Sequence, residues 1–328
     1  MRKVLVVGAG GYVGSSLVPK LLELNYQVIA FDTFWYGRNV FQEFENHSKL
    51  EIVQGDIRDE EAYKPCLKQV SDVIHLACIS NDPSFDLNPA LGKSINLDSF
   101  APFVDNSIKA GIERFIYASS SSVYGVKEEL KVTEQLSLEP LTDYSRYKAI
   151  CEEILLDKTS NQFCTTVLRP ATVCGYSKRQ RLDLAVNILT NHAVNRNVIT
   201  VFGGEQFRPN LHVSDMVDAY IHVLNQETKE ISGEIFNVGG ENLSLNSIAE
   251  MVSKVTGVKN ISYQDTDDRR SYRVDSSYIG NKIGFYTKKS VEDAVNDLVK
   301  AFASGLLVNP LDNEMYFNIK RMKELKLA

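Results

Sequence analysis

Val4-Leu5-Val6-Val7-Gly8-Ala9-Gly10-Gly11-Tyr12-Val13-Gly14 is the stretch that decides the fold, because an apolar run passes directly into a glycine-rich turn. Leucines at helical spacing follow it, so the order predicted is strand, tight turn and helix. In that arrangement, backbone N–H groups and a helix N-terminus can receive a pyrophosphate. The spacing is Gly-x-x-Gly-x-x-Gly and differs from the commoner Gly-x-Gly-x-x-Gly. The stretch therefore predicts a dinucleotide site.

A second predicted strand, residues 27–31, ends at Asp32. An acid at this point can accept hydrogen bonds from both ribose hydroxyls of NAD, and its charge would repel the 2′-phosphate of NADP. An aspartate that only caps a turn is the alternative. The sequence favours NAD as the cofactor.

Further strands are predicted at 50–54, 72–77, 113–118 and 163–169, with helical patterns between them. This alternation specifies an α/β fold with a doubly wound parallel sheet, the Rossmann fold. We expect an NAD-binding domain over 1–170. Residues 171–328 should form mainly a smaller, discontinuous substrate-binding domain, with some segments returning to the Rossmann domain.

Tyr144 and Lys148 stand four residues apart at the start of a predicted helix, with Thr142 or Asp143 as its N-cap. Residues at this spacing share a helix face, so both side chains can enter one cavity. A nearby cation favours the phenolate and lowers the pKa of a tyrosine towards the range useful to a general base. The pair alone is a weak signal, because exposed helices produce it by chance.

Composition limits the function classes. The 328 residues carry a formal net charge of −6, which provides no basic field for nucleic acid. No apolar run approaches the roughly 18 residues of a membrane span, so no membrane partner is expected. The five scattered cysteines lack metal-ligand spacing and are typical of a reducing cytoplasm, with no metal site.

Taken together, the motifs resemble the extended short-chain dehydrogenase/reductase family, in its NAD-dependent nucleotide-sugar epimerase/dehydratase branch. The resemblance covers nearly the whole chain. Its motifs are, in chain order, Gly8/Gly11/Gly14, Asp32, Gly55-Asp56, His75-Leu76-Ala77, Val123-Tyr124-Gly125, Tyr144/Lys148 and residues 208–215.

The resemblance implies roles for individual residues. Ser120 would bond the sugar hydroxyl being oxidised, Tyr144 would remove its proton, and Lys148 would bond the nicotinamide ribose and lower the pKa of Tyr144. The NAD contacts implied are Gly8, Gly11, Tyr12, Val13, Gly14, Asp32, Asp56, Ile57, Leu76, Ala77, Asn96, Tyr144 and Lys148. The substrate, a nucleotide-diphosphate sugar, would contact Ser120, Ser121, Tyr144, Thr172, Arg208 and Arg270, with Arg269 as the competitor of Arg270.

Two departures from the family pattern narrow the reaction. Ser121 and Ser122 stand where dehydratases of this branch place an Asp-Glu pair, so 4,6-dehydration is not expected. Thr172 replaces an asparagine of the family, and together with residues 181–184 this is similar to a subgroup from surface-polysaccharide pathways, some of which act on GDP-linked sugars or heptoses.

The leading hypothesis is a nucleotide-sugar 4-epimerase that oxidises C4 with NAD. A net C4 dehydrogenase or 4-ketoreductase shares the first half-reaction, and a dinucleotide-sensing regulator without chemistry is a remote alternative. Family similarity also implies a homodimer. Phe100, Phe103 and Val104 are either contacts of that dimer or part of the chain's own core.

Overall fold

The structure is a computed structural model that describes residues 2–266 and 271–328. Its centre is a seven-stranded sheet in which every pairing is parallel, with the order β3-β2-β1-β4-β5-β6-β10. The strands of this sheet are β1 (Lys3–Val7), β2 (Gln27–Asp32), β3 (Leu50–Gln54), β4 (Asp72–His75), β5 (Arg114–Ala118), β6 (Cys164–Pro170) and β10 (Glu234–Val238). The prediction of a doubly wound parallel sheet is confirmed.

The remaining strands form two small sheets, one of the order β11-β9-β7 and one pairing β12 with β8. Their bounds are β7 (Thr172–Cys174), β8 (Ile199–Phe202), β9 (Phe207–His212), β11 (Glu241–Ser244) and β12 (Ile261–Gln264). The helices are α1 (Gly14–Glu23), α2 (Glu60–Tyr63), α3 (Asp82–Phe85), α4 (Pro89–Lys93), α5 (Phe100–Lys109), α6 (Asp143–Leu156), α7 (Ala185–Arg196), α8 (Val213–Leu224), α9 (Thr228–Ile231), α10 (Leu245–Thr256), α11 (Ser277–Ile283), α12 (Val291–Ala303) and α13 (Asn318–Glu324).

Strand β1 shows why the sheet is covered on both faces. Successive side chains of a strand point to opposite sides, so an all-apolar strand needs a core on each side. Val4 and Val6 belong to one core cluster with Leu17 of α1, whereas Leu5 and Val7 belong to the other. Helices therefore pack on both faces of the sheet.

Helix α5 contributes apolar residues to the second core cluster. Phe100, Phe103 and Val104 are at most 1% exposed and pack within the chain. Of the two alternatives left open by the sequence, the structure therefore shows that they are core residues.

His75, at the end of β4, lies among aromatic rings, with ring centroids 5.3 Å from Phe100 and 6.0 Å from Phe115. Neither ring nitrogen has a hydrogen-bond partner among the described residues. Burial, helped by the charge of Lys148, lowers the pKa of His75 to about 3. It is a neutral packing residue.

The chain beyond β6 contributes both to a separate core and to the main sheet. Helices α7, α10 and α12 surround a core cluster of their own, which includes Val186, Ile248 and Val295. By contrast, β10 returns to pair with β6 at the edge of the main sheet. Among the described residues, no helix combines the length and the apolar character that crossing a bilayer needs.

Candidate active site

A cavity of about 510 Å³ lies at the carboxyl ends of β1, β2, β4 and β5. The sheet order reverses between β1 and β4, and ligands of open parallel sheets bind at such a point. The predicted site residues that line it are Gly8, Gly11, Tyr12, Val13, Gly14, Asp32, Asp56, Ile57, Leu76, Ala77, Ser120, Ser121, Tyr144, Lys148, Thr172 and Arg208. Folding thus brings these residues to one cavity, from both halves of the chain.

The glycine turn is held tightly against the sheet. A Cβ on Gly14 would lie 2.5 Å from the Ala9 carbonyl oxygen and 2.6 Å from that of Gly8, so no side chain fits there. A Cβ on Gly11 would meet only the Gly8 oxygen, at 3.2 Å. Gly11 therefore leaves bare backbone facing the cavity, as close approach of a phosphate requires.

Asp32 has a structural task as well as a place in the cavity wall. Its carboxylate accepts hydrogen bonds from the backbone N–H of Gly10, at 2.9 Å, and of Phe34, at 2.6 Å. Burial raises the pKa of Asp32, and these two hydrogen bonds oppose the rise. The carboxylate thus fixes the turn from the end of β2 while it lines the cavity.

Asp56 and Ile57 follow β3 at the same edge of the sheet. Asp56 accepts hydrogen bonds from Arg58, with its Oδ2 2.6 Å from Nη2, and it lines the cavity beside the buried Ile57. An apolar side chain next to a hydrogen-bond acceptor suits an adenine ring and its amino group.

Ser120 caps a short 3₁₀ helix, Ser121–Tyr124. Its Oγ accepts a hydrogen bond from the Ser122 N–H at 3.1 Å and lies 2.8 Å from the Ser122 Oγ. Ser121 lies 3.3 Å from the Tyr272 hydroxyl. The three serines therefore present hydroxyl groups, and no carboxyl group, to this part of the cavity.

Helix α6 begins where the sequence predicts. Thr142 is its N-cap and forms a reciprocal capping box with Ser145. Tyr144 and Lys148 both line the cavity, as their spacing requires. Lys148 is 3% exposed, and its Nζ donates a hydrogen bond to the Ala118 carbonyl at 2.6 Å. An ammonium group has three donors, so two remain for a ligand.

The pKa of Tyr144 differs from the expectation. Burial raises it well above its ordinary value, and the charges of Cys78 and Asp82 add to the rise. The positive charge of Arg181 opposes this rise most, and a smaller lowering of the pKa comes from Ser120. The prediction named Lys148 for this effect, whereas Arg181 is the cation that lowers the pKa of Tyr144 in the structure.

Asn96 lies outside the cavity wall. It is buried in a π-helical turn, Ser94–Asp98, between α4 and α5. Its amide accepts from the Ile79 N–H at 2.8 Å and donates to the Ile79 carbonyl at 3.0 Å. Both ends of the amide therefore hold the loop after β4, which is a positioning role, and its place among the NAD contacts stays a prediction.

The substrate contacts come from the second half of the chain. Thr172 starts β7, and Arg208 lies on the neighbouring β9, where its Nη1 also donates to the Phe207 carbonyl at 3.2 Å. Arg269 and Arg270 lie outside the described residues. The assignment of a second diphosphate-binding arginine therefore stays a prediction.

Two arginines of the cavity wall were not predicted as ligand contacts. Arg179 is 4% exposed and Arg181 is 8% exposed, and both line the cavity. Asn318, from α13, lines it as well. Residues 181–184 are part of the family resemblance, but only contacts with distant parts of the chain show that the two arginines lie at the cavity.

The residues that line the cavity fit NAD. The bare turn at Gly11 and the carboxylate of Asp32 match a pyrophosphate and a ribose. Moreover, Arg179 Nε and Arg181 Nη2 are buried without a hydrogen-bond partner among residues 2–266 and 271–328, as expected of groups that hold an anion.

Comparison with known proteins identifies the family of the chain. The family model described as the NAD dependent epimerase/dehydratase family matches residues 4–239. The chain belongs to this family. The predicted family is therefore confirmed, and with it an NAD-dependent enzyme of the extended short-chain dehydrogenase/reductase type.

Several members of the family are similar over most of their length. A UDP-glucose 4-epimerase of Lactobacillus helveticus is 28% identical over 276 residues, covering 78% of this chain and 82% of the relative. The UDP-glucuronic acid 4-epimerase of Bacillus cereus, solved with UDP-glucuronic acid and NAD, superposes with a TM-score of 0.83 at 26% identity, covering 92% of this chain and 99% of the other. The UDP-glucose 4-epimerase of Thermotoga maritima, solved with UDP-glucose, gives a TM-score of 0.83 at 26% identity, covering 93% and 100%.

Proposed function

We propose that this protein is a nucleotide-sugar 4-epimerase that oxidises C4 of the sugar with NAD and then reduces it from the opposite face. The observation that carries the proposal is the convergence of Ser120, Tyr144 and Lys148 on the cavity that the glycine turn borders. Relatives and solved neighbours named as UDP-sugar 4-epimerases support it.

In the proposed reaction, Tyr144 is the general base. Its phenolate takes the proton of the C4 hydroxyl, and the resulting phenol returns a proton in the second half-reaction. Ser120, which lines the cavity with Tyr144 and lowers its pKa, would hold the sugar oxygen at the same point. NAD, when bound, supplies a hydride acceptor beside C4 and gives the hydride back.

Burial alone would keep Tyr144 protonated, so the positive charges around it matter. Arg181 supplies one of them from the described residues, and we propose that Lys148 adds a second when its free donors bond the cofactor ribose. The two cations favour the phenolate during the oxidation step.

The serines after Ser120 support an epimerase over a dehydratase. Loss of a hydroxyl from the sugar requires a group that can protonate it, and a serine hydroxyl is too weak an acid. Ser121 and Ser122 occupy the positions directly after Ser120 and line the cavity. A substrate with its C6 oxygen near these residues would keep that oxygen.

For the substrate, we propose a UDP-sugar, since the named relatives act on UDP-sugars, with Arg208 and Arg270 on its diphosphate and Thr172 and Ser121 on the sugar. A GDP-linked sugar or heptose is the alternative that the sequence resemblance raises. A panel of UDP-, GDP-, dTDP- and CDP-sugars, with products identified by NMR, separates these cases. Conversion of one sugar into its C4 epimer without added oxidant is expected.

The same panel tests the competing reactions. A net dehydrogenase or ketoreductase would stop after about one equivalent unless an oxidant or reductant is added. A regulator without chemistry would convert none of the sugars, whereas an epimerase turns over many equivalents of substrate per bound NAD.

A homodimer and a place in cytoplasmic surface-polysaccharide biosynthesis complete the proposal and rest on the sequence resemblance. Since Phe103 is buried, the dimer would use the outer side of α5, where Ile108 is 38% exposed. Light scattering after size-exclusion chromatography measures the oligomeric state, and an Ile108→Glu variant should shift it towards the monomer.

A further inference from the structure

We propose that Arg179 and Arg181 form a clamp that holds the diphosphate of NAD together with the glycine turn. This inference rests on the NAD cofactor of the proposed function. It concerns the segment between β7 and α7, which lies outside the glycine motif.

The segment is fastened directly to the glycine turn and to the first turn of α1. Ser177 Oγ donates to the Tyr12 carbonyl at 2.7 Å, and it lies 2.8 Å from the hydroxyl oxygens of both Ser15 and Ser16. The Arg179 backbone N–H donates to Ser15 Oγ at 3.1 Å. These bonds bring two arginines from the second half of the chain to the dinucleotide side of the cavity.

Each guanidinium is held in place by its neighbours. Arg179 lies over the ring of Tyr36, with its Cζ 3.7 Å from the ring centroid, and it donates to the amide oxygen of Asn318. Arg181 donates to Asp183 at 2.9 Å and to Ser80 at 3.2 Å. Tyr36 and Ser80 follow β2 and β4, so the pair spans the loops on either side of β1.

The two arginines differ in their partners, although the charges of Asp183 and Asp32 act on Arg179 from a distance. Arg181 is paired with Asp183, whereas Arg179 has an uncharged amide as its side-chain acceptor. Burial lowers the pKa of Arg179 to about 10, so it stays charged at neutral pH. Arg179 Nε and Arg181 Nη2 have no partner within the described ranges, and a buried cation with unused donors calls for an anion.

A diphosphate is the anion that fits best, because guanidinium donors match phosphate oxygens and the same cavity is lined by a glycine turn before a helix N-terminus. Both NAD and the sugar nucleotide contain this group. The location favours NAD, since Arg179 lies beside Tyr36 and Ser15 and is influenced by the charge of Asp32. Arg208, on β9, is the candidate for the sugar nucleotide.

The test measures binding without turnover. Full-length protein stripped of nucleotide is titrated with NAD, with adenosine and with UDP. The proteins compared are the wild type, the variants Arg179→Gln, Arg181→Gln and Arg208→Gln, and the surface control Arg196→Gln. We expect the first two to raise the Kd for NAD about ten- to a hundredfold, the range of one lost hydrogen bond to a charged group. Adenosine and UDP should bind them as they bind wild type, within about twofold.

Other results would overturn the clamp. If the variants lost affinity equally for NAD and for adenosine, the arginines would only support the fold. A loss of affinity confined to UDP would assign them to the sugar nucleotide. An unchanged Kd for NAD would also refute it. If circular dichroism shows that a glutamine variant does not fold, Arg179→Lys and Arg181→Lys replace it. Each lysine variant must still raise the Kd for NAD at least threefold. A wild-type protein that binds no NAD would instead refute the proposed function.

Discussion

The buried ion pair between Glu152 and Arg169 should be the contact whose loss destabilises the site most. Glu152 lies on α6, the helix of Tyr144 and Lys148, and Arg169 lies on β6. Arg169 Nε is 3.0 and 3.1 Å from the two carboxylate oxygens, and Nη2 is 2.5 Å from Oε2. The side chains are 2% and 3% exposed, so water cannot replace either partner.

The perturbation is Glu152→Gln, which keeps the size of the side chain and removes its charge. It removes the carboxylate that pairs directly with the buried Arg169 cation and leaves only the charge of Glu134 near it, and breaking such a pair costs about 3–5 kcal/mol of unfolding free energy. Ser119, which donates a hydrogen bond to Glu152, loses part of its anchor as well. Because Ser119 precedes Ser120, we also expect slower turnover.

Urea unfolding, followed by circular dichroism, measures the loss. Glu153→Gln is the matched control, since Glu153 is the exposed neighbour on the same helix and should change stability by no more than about 0.5 kcal/mol. The double variant Glu152→Gln/Arg169→Met should recover part of the loss, because it removes the unpaired cation. A Glu152→Gln variant as stable as the Glu153→Gln control would refute the reasoning.

Three further predictions concern single positions. Tyr144→Phe should leave NAD binding within about twofold of wild type and lower turnover a hundredfold or more, as loss of a general base predicts; undiminished turnover would remove Tyr144 from the mechanism. Gly14→Ala should weaken NAD binding at least tenfold by calorimetry, because the new Cβ would lie 2.5 Å from the Ala9 oxygen and open the turn, and unchanged affinity would contradict this packing. The pKa of His75 is lowered from 6.5 to about 3 in the folded protein, so the unfolded protein binds this proton at a higher pH than the folded protein does. The free energy of unfolding should therefore fall as the pH falls from about 6.5 towards 3, by up to about 1.4 kcal/mol per pH unit. His75→Phe should remove this part of the pH dependence in urea titrations at several pH values, and an identical slope would show that His75 does not titrate there.

The strands and the glycine turn could be predicted because their signals are local. The apolar run of β1, the turn at Gly8–Gly14 and the cap at Thr142 each depend on a few neighbouring residues. Several such motifs in one order then placed Tyr144 and Lys148 at a shared cavity, since parallel strands end at one edge of a sheet.

The arginine clamp could not be predicted in this way. Arg179 becomes a candidate ligand only because Ser177 and Ser15 meet, and residues so far apart in sequence give no periodic signal. The role of Asn96 in holding the loop after β4 is likewise hidden in the sequence, because it depends on two hydrogen bonds with the distant Ile79 backbone. The pKa of Tyr144 likewise depends on Arg181, which the sequence of α6 does not include.

The most direct test of the account follows a deuterium at C4 of the sugar nucleotide that the panel selects. If Tyr144 takes only the hydroxyl proton and the hydride passes to NAD and back, the product is the C4 epimer with the deuterium still at C4. NMR of the product in ordinary water shows both features at once. An epimer that has exchanged its C4 deuterium with the solvent, or a product left at the oxidation state of the 4-keto sugar, would contradict the proposed function.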